Sequence, residues 1–147
     1  MLLFEIMSLG DGKFTLNSGI FGGGYNYSVG PYLSTTDKYT YSGDSVVAGT
    51  NLSAARGYLA AAGTSTVGIF AQGSNNSTYF TVSDKYTYSG DSVTSGTSLG
   101  TTRNELAGTG TSTVGIFAGG YNNGTYYSVS DKYTYSGDSV VAGTNLS

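Results

Sequence analysis

The chain has 147 residues, only 10% of them charged, and a formal net charge of −3. It contains no Cys and no His, which excludes disulfides and Cys-ligated zinc and removes the commonest general base. Its six basic residues give no electrostatic footprint for nucleic acid. We therefore expect no enzymatic activity, no cofactor, no metal and no nucleic-acid partner.

The N-terminal segment, residues 1–18, begins with the short apolar run 1–7, which carries Glu5. Without a basic leader we expect no secretory signal, and no apolar run approaches the length of a membrane span. We predict that residues 2–16 supply an irregular first strand, with Ile6 or Met7 at the position where later repeats carry Arg.

Residues 19–147 form a repeat region. The sequence Asp-Lys-Tyr-Thr-Tyr-Ser-Gly-Asp-Ser-Val begins at Asp37, Asp84 and Asp131, and both gaps are 47 residues. Residues 37–83 and 84–130 are identical at 32 of 47 positions. A fixed period of this size indicates a propeller, a solenoid or an array. We expect about three repeats, with boundaries near residues 56 and 103, that present the same groups repeatedly and so favour binding or assembly over catalysis.

Each repeat contains four short apolar or alternating segments, separated by polar, Gly-rich turns. In the second repeat they are Leu59–Ala62, Val67–Ala71, Thr78–Tyr88 and Val93–Thr97. Alternation is the signal of a strand, and no segment has a helical apolar stripe. The sequence therefore predicts an all-β protein, in which residues 19–23 are the second strand of the first repeat.

Four short strands in a repeat of this length are typical of one propeller blade, with the small Ala-rich run innermost. A β-solenoid is the alternative architecture, although its coils are usually shorter. Low-complexity disorder would also fit the composition. It is disfavoured because the apolar positions recur in step with the repeat.

A Tyr, an Arg and a glycine pair that closes an apolar strand also recur in the repeat region. These positions are Tyr39 and Tyr86, Arg56 and Arg103, and Gly119–Gly120 with its weakened version Gln72–Gly73. The pattern resembles the kelch repeat, although Val46 and Val93 stand where that family usually has Trp. The resemblance covers about residues 19–147. It implies a divergent kelch-like β-propeller with four antiparallel strands per 47-residue repeat.

Several polar and glycine positions have structural interpretations. We expect Arg56 and Arg103 to bond backbone carbonyls between strands. Gly23, Gly73 and Gly120 are expected to supply positive φ or a close backbone approach. The Asp residues of the Ser-Gly-Asp-Ser turns, which are Asp44, Asp91 and Asp138, are expected to bond their own turn.

The number of blades predicts self-association. A propeller needs at least about four blades, and three would leave two open edges of unpaired backbone. Two chains closing a six-bladed ring is our first hypothesis. A fragment of a longer repeat protein and an open filament are the alternatives.

Differences between repeats concentrate at one end of the blades, in the link between blades and in the second loop. Kelch-like propellers generally bind partners at this end, so the resemblance implies a recognition face there. Its candidate residues are Tyr25, Asn26, Tyr58, Asn104, Glu105, Tyr121 and Asn122. Tyr and Asn suit adaptable recognition of a protein or a glycan. The alternative is that these loops vary because nothing constrains them.

The functional hypothesis is a non-enzymatic binding or structural repeat module that binds itself and a protein or glycan partner. The alternatives are a virion, tail-fibre or adhesin repeat without a ligand of its own, and a sugar-binding lectin. An extracellular or virion surface is favoured over the cytoplasm. Copper oxidases with kelch-like propellers need His and Cys ligands, which this sequence lacks.

Overall fold

The computed structural model describes residues 18–26, 28 and 30–147. These residues form strands, turns and loops without a helix, which confirms the prediction of an all-β protein. The strand predicted within residues 2–16, and the position at Ile6 or Met7, lie outside the described residues. The strands are, in chain order, β1 (Ser18–Gly22), β2 (Tyr25–Asn26), β3 (Gly30–Tyr32), β4 (Thr36–Thr40), β5 (Ser45–Gly49), β6 (Ala60–Gly63), β7 (Val67–Ala71), β8 (Ser83–Thr87), β9 (Ser92–Gly96), β10 (Ala107–Gly110), β11 (Val114–Ala118), β12 (Tyr121–Asn122), β13 (Thr125–Tyr126), β14 (Ser130–Thr134) and β15 (Ser139–Ala142).

Each repeat builds one antiparallel sheet, in which the strands follow in chain order apart from a short hairpin inserted in the first and third repeats. The second and third repeats have the orders β6-β7-β8-β9 and β10-β11-β14-β15, and the described part of the first has β1-β4-β5. The short hairpins β2-β3 and β12-β13 branch off between the second and third strands of their repeats. All three sheets share one register, shown by the aligned pairs Phe21–Asp37, Phe70–Asp84 and Phe117–Asp131.

The third strand of the repeat is shorter than the sequence predicts. Alternation over residues 78–88 predicts one long strand, but β8 takes up only part of it. The regular ladder is interrupted over residues 78–82, where Gln72 N and the Gly73 carbonyl still bond Val82 and Phe80 and Tyr79 bridges to Ser74. The Asn75 side chain accepts hydrogen bonds from backbone N–H groups in the same loop. Such local bonding competes with the sheet ladder, so alternation overestimates the strand.

The hydrophobic core lies between neighbouring sheets. Between the first and second sheets the buried residues are Ile20, Leu52, Leu59, Ala61, Phe70 and Tyr86. Between the second and third they are Ala60, Ala62, Ile69, Ala71, Leu99, Leu106, Phe117, Tyr133 and Tyr135. Both faces of the second sheet are therefore covered, whereas the outer faces of the first and third sheets have no such layer among the described residues.

The first strands of the second and third sheets, β6 and β10, lie against each other. This contact needs residues without bulk, because a Cβ placed on Gly108 would strike the backbone of Ala61. The Ala and Gly residues of these strands thus allow the two sheet edges to approach closely.

Candidate functional site

Each of the last two repeats contains a buried arginine–aspartate pair. The Arg56 guanidinium lies 2.8 Å from Asp84 Oδ2, and the Arg103 guanidinium lies 2.9 Å from Asp131 Oδ2. Both arginines are fully buried. The same Nη2 atoms donate to the carbonyls of Phe70 and Phe117 at 3.3 and 3.2 Å. These carbonyl bonds hold the link between repeats against the sheet that follows it.

The carboxylate also receives a backbone N–H from the link. Ser53 N donates to Asp84 at 3.0 Å, and Gly100 N donates to Asp131 at 3.2 Å. The sequence interpretation did not name these aspartates as partners of the arginines. The constant offset between Arg and Asp, which separates both 56 from 84 and 103 from 131, is the signal that could have identified them.

A second contact joins neighbouring repeats through the Ser-Gly-Asp-Ser turns. Thr50 donates from Oγ1 to the Asp91 carbonyl at 2.5 Å and from N to its carboxylate at 3.3 Å. Thr97 makes the same pair of bonds to Asp138, at 2.5 and 3.2 Å. The sequence interpretation considered bonds within the turns themselves and did not anticipate this contact between repeats. We call this contact the threonine clasp, because one Thr of the preceding repeat holds the turn of the next.

A tyrosine lies beneath each of these turns. Tyr39, Tyr86 and Tyr133 donate their hydroxyl hydrogen bonds to Asp44, Asp91 and Asp138. The hydrogen bond to Asp44 is the main cause that raises the pKa of Tyr39 above its usual value, with smaller contributions from desolvation and the Asp44 charge. Tyr86 and Tyr133 are fully buried, whereas Tyr39 is only half-buried.

The outer face of the first sheet lacks the cover that its equivalents have. We call the side chains Phe21, Tyr39, Tyr41 and Val46 the front face. Val46 is 58% exposed, but its equivalents Val93 and Val140 pack against the core clusters. The difference arises because no preceding repeat covers the front face among the described residues.

The outer face of the third sheet is also uncovered among the described residues, on the side that a following repeat covers in the earlier sheets. We call the side chains Ala107, Ile116, Thr144 and Leu146 the back face. Leu146 is 53% exposed, whereas the equivalent Leu52 and Leu99 are each 4% exposed. The back face of each earlier repeat is covered by the repeat that follows it. Among the described residues, no further repeat covers the back face of the third sheet.

The link and the second loop meet at one end of the sheets, where the sequence places its recognition face. Gly57 bridges to Ser74, and Asn104 bridges to Tyr121. Successive repeats also touch here, because Asn104 Nδ2 donates to Ser74 Oγ at 2.8 Å. The variable loops therefore form one continuous surface.

The candidate recognition residues differ in exposure. Tyr58 and Glu105 are exposed, and Tyr25, Asn26, Tyr121 and Asn122 are half-buried. The expectation that Asn104 is exposed is wrong, because it is buried by its bonds to Ser74 and Tyr121. Sequence reasoning missed Tyr126, which is 83% exposed. The Asn-Gly dipeptide before it, a signal for a hairpin turn, could have placed it on a projecting tip.

Tyr58 and Glu105 are among the seven described non-Gly residues that have a positive φ. Both occupy the left-handed region, at φ values of 56°, which ordinarily costs a non-Gly residue about 1–2 kcal/mol.

The glycines that the sequence predicts at the same end have backbone roles. Gly73 and Gly120 have φ values of 97° and 111°, and a Cβ at either would crowd the carbonyl of Gly57 or Asn104.

The described residues contain no group of three or more His, Cys, Asp or Glu side chains that could hold a metal ion. They also include no helix long and apolar enough to cross a membrane. No protein-family model matches the chain, and no curated protein shows significant similarity to it. The resemblance to kelch repeats therefore depends on the residues and spacings of the chain itself.

Proposed function

We propose that this chain is a non-enzymatic structural and binding module, made of kelch-like blades, that assembles head to tail with copies of itself. The observation that carries the proposal is that the front face and the back face are both uncovered among the described residues. The front and back faces are the two halves of a contact that the chain already forms twice internally. A second copy can supply each missing half without any new type of contact.

The internal contacts define which atoms would meet. Thr144 corresponds to Thr50 and Thr97, so it would clasp Asp44 of the neighbouring copy. Leu146 would fill the layer next to that copy's front face, as Leu52 and Leu99 do in the internal layers. Burying the side chain of a leucine that is half exposed contributes about 1–2 kcal/mol per interface. The Tyr39 side chain of the neighbouring copy would become as buried as Tyr133.

A propeller is the architecture that best fits these contacts. The second and third sheets are four-stranded, and their first strands, β6 and β10, lie side by side, as blades do around an axis. Head-to-tail contacts close a ring when the rotation per copy allows it and otherwise make a filament. Two chains closing six blades is our first expectation, and an open filament is the alternative.

The loop end favours a second role in binding a partner. Tyr58, Tyr79 and Tyr126 are large exposed aromatic side chains in this region, and such residues commonly anchor protein or glycan partners. In a closed assembly all copies would present these loops on one surface. A lectin or an adhesin repeat on a cell or virion surface would use the module in this way.

Native mass measurement tests the assembly. We expect wild-type protein to form dimers or larger species, and Leu146→Asp to be a folded monomer because a carboxylate cannot enter the apolar layer. Val141→Asp is the matched control, since Val141 is 58% exposed in the same sheet. Its equivalent Val47 remains exposed although a repeat follows it, so the position lies outside the contact. A concentration-independent wild-type monomer would contradict the proposal.

A further inference from the structure

The first repeat contains an incomplete version of the buried arginine site. Asp37 pairs with Phe21 in the register that Asp84 and Asp131 have with Phe70 and Phe117. In the later repeats this arrangement holds a guanidinium between the carboxylate and the Phe carbonyl. Among the described residues, no arginine reaches Asp37.

A cavity of about 430 Å³ lies at this position. Its lining includes Phe21, Gly22, Gly23, Leu33 and Asp37. Asp37 is half-buried, whereas Asp84 and Asp131 are buried under their arginines. The volume is ample for an arginine side chain and part of its backbone.

The completed sites show what such a carboxylate recognises. Each binds a backbone N–H and, three residues further along the same segment, a guanidinium: Ser53 with Arg56, and Gly100 with Arg103. The two residues between them are small or short, Ala-Ala in one link and Thr-Thr in the other. The common ligand is therefore a short peptide that bends at its first two residues and carries Arg at its fourth position.

We propose that the Asp37 cavity is a binding site for an arginine-containing peptide segment with the pattern of the links between repeats. The carboxylate of Asp37 accepts one hydrogen bond from the peptide backbone and one from the guanidinium, and the Phe21 carbonyl accepts a second from the guanidinium. Lysine cannot reproduce this geometry, because its ammonium group lacks the planar fork of donors. The site thus selects arginine over lysine.

This inference rests on the same open front face as the proposed assembly, but its ligand differs from the residues that drive assembly. The chain's own C-terminal residue Ser147 corresponds to Ser53. A neighbouring copy docked through its back face would bring this residue towards Asp37, but the residues of the back face include no guanidinium, so the arginine position is a separate part of the site.

The test uses the full chain carrying Leu146→Asp, so that assembly cannot compete for the front face. The probe is the capped hexapeptide Leu-Ser-Ala-Ala-Arg-Gly, which has the sequence of residues 52–57. Its binding to the chain is measured by titration calorimetry or NMR. We expect saturable one-to-one binding that weakens on the order of tenfold or more when lysine replaces the peptide arginine. Asp37→Asn should weaken it equally, whereas Lys38→Gln, at the neighbouring position on the opposite side of the strand, should leave it unchanged.

Absence of saturable binding, or equal binding of the arginine and lysine peptides, overturns the inference. So does peptide binding that is unchanged by Asp37→Asn.

Circular dichroism establishes that each variant is folded. If the Leu146→Asp variant does not fold, the peptide is titrated into the wild-type chain at a concentration below that at which the chain associates. Native mass reports on assembly separately, so assembly without peptide binding refutes only the arginine site, and peptide binding by a chain that never assembles refutes only the proposed assembly.

Discussion

Residues 37–53 and 131–147 have the same sequence, yet they differ in environment at nearly every interface position. Leu52 is 4% exposed and Leu146 is 53% exposed. Tyr133 is fully buried, whereas Tyr39 is half-buried. The first copy has a repeat after it and the second has a repeat before it, so each lacks the cover that the other has.

The comparison separates what the sequence of a repeat determines from what its neighbour determines. Strand pairing and the Tyr–Asp hydrogen bond are the same in both copies. Burial of the tyrosine requires the preceding repeat, and burial of the leucine requires the following one. Stability should therefore depend on internal interfaces much more than on identical residues at the two open faces.

The largest expected effect is at the arginine site. Arg103→Ala leaves Asp131 buried without its counterion, which typically costs about 3–5 kcal/mol. Asp37→Asn, at the equivalent position without an arginine, should change the free energy of unfolding little. Urea unfolding of both variants measures the difference. An unchanged midpoint for Arg103→Ala would show that the site contributes nothing to folding.

The next effect is at the turns. Asp138 accepts hydrogen bonds from Tyr133 and from Thr97 of the preceding repeat, so Asp138→Ala should cost about 1.5–3 kcal/mol, the usual range for a charged hydrogen-bonding group. Asp44 has the tyrosine but no preceding threonine among the described residues. Asp44→Ala in the monomeric Leu146→Asp background should therefore cost less. Equal decreases in the free energy of unfolding for the two variants would show that the threonine clasp does not contribute to stability.

The sequence predicts the strands well where local pattern dominates. The prediction of Val67–Ala71 matches β7, and Val93–Thr97 overlaps β9. It fails over residues 78–82, where the Asn75 side chain bonds the backbone at the start of the segment and the regular strand ladder is interrupted. Periodicity cannot detect that competition.

The candidate site shows a similar division. The recurrence of Arg56 and Arg103 marks them as structural positions, but their partners Asp84 and Asp131 lie in a different strand and required the register to be recognised. Asn104 looks like a surface loop residue in the sequence. It is buried because the preceding repeat places Ser74 against it, a contact between loops that no local pattern encodes.

A smaller effect concerns backbone strain at the loop end. Glu105 is exposed with φ of 56°, so Glu105→Gly should stabilise the protein by up to about 1 kcal/mol, because glycine adopts this region without steric cost. Glu105→Ala keeps the strain and should give no gain. Thermal unfolding distinguishes the two. A gain with alanine equal to that with glycine would mean that the carboxylate, and not the backbone, is unfavourable.

The smallest effect at neutral pH is expected for Tyr135→Phe. Burial raises the pKa of Tyr135 to about 12, and its hydroxyl has no hydrogen-bond partner among the described residues. Removing that hydroxyl should therefore leave stability at pH 7 nearly unchanged. Tyr133→Phe, the control two residues away, loses the bond to Asp138 and should be destabilised at the same pH.

The difference between wild type and Tyr135→Phe should grow at alkaline pH. The tyrosine stays protonated in the folded state above the pKa of about 10 that it has when unfolded. Its contribution is thus fully present below pH 10 and is lost as the pH rises towards 12, because ionisation then favours the unfolded chain. Tyr135→Phe cannot ionise at this position, so its melting temperature should fall less over that interval. Parallel declines of wild type and variant would show that Tyr135 is solvated in the folded protein.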